Sequence, residues 1–104
     1  MKTTTLKLSA GVLVLGPLLA ATLRDNKDRL AAANSGQVTD PFEMLDLTCT
    51  LAHAAAKRVD PSVTREAIEQ LVDLENVAEV YAACWGAAMP TRSGETPPEA
   101  SPAA

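Results

Sequence analysis

The sequence predicts a mainly α fold: a small N-terminal β-hairpin, a compact bundle of about four helices, then a disordered C-terminal tail. Three observations carry that expectation. Apolar residues recur at helical spacing from Leu18 to Ala88, punctuated by capping residues at Asp40, Thr64 and Asn76. The first residues instead alternate with period two on either side of Ser9-Ala10-Gly11. From Pro90 onward, PTRSGETPPEASPAA holds four of the 7 prolines and no large apolar residue, so it lacks the area to offset its ordering entropy. Residues 1–89 therefore read as one helical domain and 90–104 as a flexible tail.

Composition bounds the rest. With 104 residues and 47% hydrophobic content the chain supports one modest core. Phe42, Tyr81 and Trp85 are its only aromatics, and alanine supplies much of the apolar count. Alanine forms helices readily but buries little area, so support from a partner or a second copy (a homo-oligomer) is consistent with the composition. The formal charge of −4 and the lack of a Lys/Arg cluster argue against a nucleic-acid partner, whose binding needs a concentrated basic face.

The N-terminus allows two readings. Lys2 and Lys7 precede an apolar stretch from Leu8 to Leu23, the outline of a secretory signal. Ser9, Gly11 and Gly16-Pro17 interrupt that stretch, and it falls short of the roughly 20 continuous apolar residues of a membrane span. Leu19 is also large for a cleavage region around Leu19-Ala20-Ala21. In the other reading, Thr3, Thr5, Lys7 and Ser9 alternate with Thr4, Leu6, Leu8 and Ala10, and Gly11 leads into Val12-Leu13-Val14-Leu15. Leu6 and Leu8 then face inward with alternate members of the return strand. The hairpin is the preferred reading, with an exported protein cleaved near residue 21 as the alternative.

Pro17 suits the first turn of a helix through Asn34, with Leu19, Leu23 and Leu30 on its inner side and Arg24, Asp25, Asp28 and Arg29 facing water. Gly36 is placed to close it in the left-handed conformation. Asp40-Pro41-Phe42-Glu43 starts a second helix with a cap, a proline at the first position and a glutamate three residues after the cap. Met44, Leu47, Leu51 and Ala55 form its inner stripe, widened by Ala52, Ala54 and Ala56. Lys57-Arg58 favour its C-terminal end and Asp60-Pro61 stops it. Thr64 caps a third helix of two or three turns, burying Ile68, Leu71 and Val72. Asn76 and Glu79 have capping-box spacing for a fourth, in which Val77, Val80, Tyr81, Cys84, Trp85 and Ala88 recur.

Groups that could carry chemistry are sparse. Cys49 and His53 share a helix face and could form half a metal site with Cys84 as a third ligand, but no second histidine or paired cysteine motif completes it. The same pair lacks the orienting residue and oxyanion loop of a thiol hydrolase. Buried cysteines and a surface histidine explain them better, and a Cys49–Cys84 disulfide enters only if the chain is exported. Asp73, Glu75 and Glu79 lack the ligand spacing of a calcium loop and read as caps. No catalytic, metal or cofactor site is expected. Tyr81 and Trp85, four apart near the end of the last helix, are the candidate partner-binding residues, against the simpler alternative that they fill the core.

The stretch from His53 to Gly86 also carries a resemblance. A polar turn, Thr64-Arg65-Glu66, Leu71-Val72, Asp73-Leu74-Glu75-Asn76-Val77 and a closing helix with Tyr81 and Trp85 resemble the tail assembly chaperones of long-tailed bacteriophages. The opening hairpin and the Leu15-Gly16-Pro17-Leu18 step look like that family's start. The resemblance implies a non-enzymatic phage or prophage protein of the host cytoplasm, absent from the mature virion. It would bind the tape measure protein, and possible tail tube subunits, while the tube assembles. No cofactor, nucleic acid or membrane partner is expected beside it. An apolar groove taking a client helix would suit that role, with repeated weak contacts adding up along a long client.

Overall fold

Two strands open the chain. Thr4–Leu8 (β1) and Gly11–Leu15 (β2) pair antiparallel across Ser9-Ala10, with Leu6 opposite Leu13 and Thr4 opposite Leu15. The computed structural model of the chain describes residues 2–88. The flexible tail expected over 90–104 lies outside them. Alternation sends Leu13 and Leu15 into the core, with Leu6 and Leu8 packed beside them. The hairpin reading of these residues is therefore the observed one.

Five helices follow among the described residues: Ala20–Asp25 (α1), Lys27–Asn34 (α2), Pro41–Lys57 (α3), Arg65–Glu69 (α4) and Val77–Ala88 (α5). The fold is mainly α with an N-terminal hairpin. The first predicted helix differs most from expectation. Pro17 lies outside it, because Leu19 caps the helix in an extended conformation and helical geometry begins at Ala20. Long-range bonds anchor the preceding segment to α3 and its C-terminal cap: the Gly16 N–H donates to the Ala55 carbonyl at 2.9 Å, and Arg58 Nη1 donates to the Pro17 carbonyl at 2.8 Å. That segment turns Leu18 inward at 8% exposure and leaves Leu19 at 52%, reversing the expected inner position of Leu19.

A break at Asn26 then divides the helix in two. Its side chain donates to the Thr22 carbonyl at 2.8 Å and its backbone leaves helical geometry at φ −116° and ψ 15°. An asparagine amide that bonds the backbone locally competes with the helical ladder, and here it wins. Leu30 is buried as expected and Gly36 takes φ +78°, the left-handed value that favours glycine.

The start of α3 matches its sequence. Asp40 accepts from the Phe42 N–H at 2.9 Å, with Pro41 at the first helical position. Leu47, Leu51, Ala52, Ala55 and Ala56 are buried, so α3 is the central element, touching β2, α4 and α5. Thr64 caps α4 by accepting from the Ala67 N–H at 3.1 Å. That helix is 5 residues long, and Leu71 and Val72 pack inward from the turn beyond it rather than from helix.

The expected capping box of the last helix is replaced by a turn. Asn76 points backward, its Oδ1 accepting from the Asp73 N–H and its Nδ2 donating to the Leu71 carbonyl. Asp73 Oδ1 accepts from the N–H groups of Glu75 and Asn76, which leaves no free Asn76 donor for Glu79. Val80 and Cys84 then enter the core from α5.

Candidate partner-binding surface

Tyr81 and Trp85 form an edge-to-face pair, with ring centres 6.4 Å apart and planes at 81°. Both are half-buried and packed on the core. The Tyr81 hydroxyl donates to Asn34 Oδ1 at 2.8 Å, tying α5 to the end of α2. The pair therefore braces two helices, and its outer edges are what a partner would meet. Trp85 Nε1 is buried without an acceptor among the described residues.

The other sequence candidates are near one another without converging. Cys49 lies in α3 and Cys84 in α5, both buried and both free. Burial, reinforced by the nearby Cys49, pushes the Cys84 thiol up to about 12. Burial also raises Cys49, against the attraction of Arg65. Both thiols are thus protonated at neutral pH, the form that neither attacks nor ligates. His53 Nε2 lies 3.1 Å from the Val63 carbonyl, which can only accept, so that nitrogen carries the proton. Among the described residues no three metal-ligating groups come together. Asp73 serves as the local cap already described.

Sequence reasoning missed a chain of ion pairs along one face. Glu43, Arg29, Asp46, Arg65 and Glu69 follow one another at 2.9, 2.8, 2.6 and 3.0 Å. Arg29 thus bridges α2 to α3 instead of facing water. The hydrogen bond from Arg29 holds the Asp46 carboxyl below the usual carboxylate range, and the charge of Arg65 adds to it against desolvation. Beneath Arg65 lies a cleft of about 270 Å³ floored by Cys49 and Val72. The i,i+4 spacing of Arg65 and Glu69 was a readable signal; the approach of Arg29 from another helix was not.

A second opening lies on the hairpin side. An apolar groove of about 220 Å³ runs along Val12, Leu13 and Val14 of β2, facing Val59, Val63 and Leu71. Val12 is 59% exposed at its rim. The signal for it was present in β2, where valines occupy the outward positions that a one-sided ribbon usually fills with polar residues. Leu71 also comes close to Gly11: a Cβ there would sit 3.0 Å from its Cδ2, so the leucine side chain would have to give way to a larger residue at the head of the groove. Among the described residues no helix is long and apolar enough to cross a membrane.

Comparison with known proteins adds no assignment: no protein-family model, curated protein or solved structure matches this chain.

Proposed function

We propose that this chain is a non-enzymatic tail assembly chaperone of a phage or prophage, which binds the tape measure protein in the host cytoplasm and is left out of the finished virion. The observation that carries the proposal is the order of motifs. A hairpin leads through Gly16-Pro17 into helix, Asp40 caps the central helix, and Thr64 caps a short one ahead of the Tyr81/Trp85 helix. In this reading α1 and α2 count as one bent arm of a bundle of about four helices. The apolar groove beside β2 and the half-buried aromatic pair give such a chaperone two surfaces for an apolar client. The charge of −4 keeps the unloaded protein soluble.

The test is co-expression with the very long tape measure product expected from a neighbouring reading frame. The expected result is a rise in the soluble fraction of that product and its retention on the tagged chain. No change in solubility together with no binding would end the proposal. Export with a cleaved leader is the competing account, and the intact mass of the purified chain separates the two. Loss of roughly the first 20 residues would favour export, and it would strip Leu13 and Leu15 out of the core.

A further inference from the structure

The two edges of the hairpin are not equivalent. Leu8 and Gly11 flank a two-residue turn, so they exchange both main-chain bonds, and bonded pairs then alternate along the ribbon through Leu6–Leu13 and Thr4–Leu15. Thr5 and Lys7 on β1, and Val12 and Val14 on β2, consequently aim their N–H and C=O groups away from the partner strand. On β1 the outer edge carries Lys7, the usual guard against pairing with another chain. On β2 it carries Val12 and Val14, with no charge, proline or bulge, and only beyond the strand is the next outward N–H, that of Gly16, taken by the Ala55 carbonyl at 2.9 Å. Among the described residues neither valine makes a further main-chain bond.

The unguarded edge is also the one beside the apolar groove. Val59, Val63 and Leu71 line the far wall, leaving room for an apolar side chain next to a row of open main-chain donors and acceptors. Asp60 closes the rim, its Oδ1 fixed by the Ser62 N–H at 3.1 Å and hydroxyl at 2.7 Å. We propose that the outer edge of β2 is a docking site for an extended, apolar segment of a partner protein carrying a basic residue. The segment adds a third strand by bonding Val12 and Val14, sets one apolar side chain into the groove, and brings its cation to Asp60. Charge selects this occupant over a second copy, because the same edge of a second acidic chain is Gly-Val-Leu-Val-Leu and brings no cation to Asp60. The site is defined by the edge and stands whether or not the client is a tape measure protein.

The test titrates the 15N-labelled full chain with the peptide acetyl-KTVLVTK-amide and follows amide hydrogen exchange. Slowed exchange at Val12 and Val14 on binding is the expected result. The same peptide with N-methylated valines and leucine keeps its apolar side chains but loses its strand donors, and its affinity should fall at least about tenfold. Val12→Pro removes an outward-facing donor and the valine side chain at the groove rim but no bond between β1 and β2, so it should weaken the peptide at least about tenfold with little change in thermal midpoint. Four outcomes would overturn the proposal. They are equal binding by the N-methylated peptide, binding without protection at Val12 and Val14, slow exchange there in the free monomer, and a concentration-dependent dimer protected at the same amides. The third would place another part of this chain on the edge, and the fourth a second copy.

Discussion

Two neighbouring threonines on α3 show how much a single hydroxyl depends on its surroundings. Thr50 donates to the Asp46 carbonyl and accepts from Arg65, so its polarity is matched. Thr48 is fully buried and its Oγ1 has no partner among the described residues. An unmet buried hydroxyl costs about 1–3 kcal/mol relative to a methyl of the same shape. Thr48→Val should therefore raise stability by about 1 kcal/mol, read as a higher urea midpoint at unchanged slope. A lower midpoint would mean that Thr48 has a partner after all. At this scale Tyr81 and Trp85 were legible only as neighbours, since i,i+4 spacing puts their rings together. The bond from Tyr81 to Asn34 crosses 47 positions, and nothing local in either residue announces it.

Elements were legible where their determinants are local. The Asp40 and Thr64 caps each act within three residues, so the starts of α3 and α4 could be read from a few letters. Asn26 was harder, because one side-chain bond to Thr22 tips a close balance between continuing the helix and breaking it. The ion-pair chain joins elements, and its pH dependence follows from Asp46. That carboxyl titrates below its ordinary 3.8, so the native state keeps it charged where the unfolded chain takes up a proton. Its contribution is present above the unfolded value and is lost as pH falls through the folded one. Asp46→Asn should cost less than about 1 kcal/mol at pH 7, since the group is half exposed. The deficit should shrink toward about pH 2. Urea midpoints of both proteins at the two pH values provide the check, and a deficit independent of pH would assign the loss to packing.

For the whole molecule, the hairpin is part of the core and no mere appendage. Leu13 and Leu15 share one buried cluster with Leu47, Leu51, Ile68 and Val80, drawn from α3, α4 and α5. Leu15→Ala should accordingly cost about 2–5 kcal/mol, as a central leucine does, and calorimetry should still show a single transition. A loss below about 1 kcal/mol would mean that the ribbon folds as a separate unit. The core as a set of apolar positions was readable from periodicity, whereas the groove was not, because Val12, Val59 and Leu71 become neighbours only once hairpin and helices have docked.

The bond from Arg58 to the Pro17 carbonyl spans 41 positions, and the Gly16 bond to Ala55 closes nearly as long a loop. During synthesis the strands emerge before α3, so their anchor points on that helix do not exist until later. Until then Leu13 and Leu15 lie open to whatever surveys nascent chains. For that interval the ribbon has no buried face, so its stability is borrowed from helices that begin only at Pro41, well further along the chain.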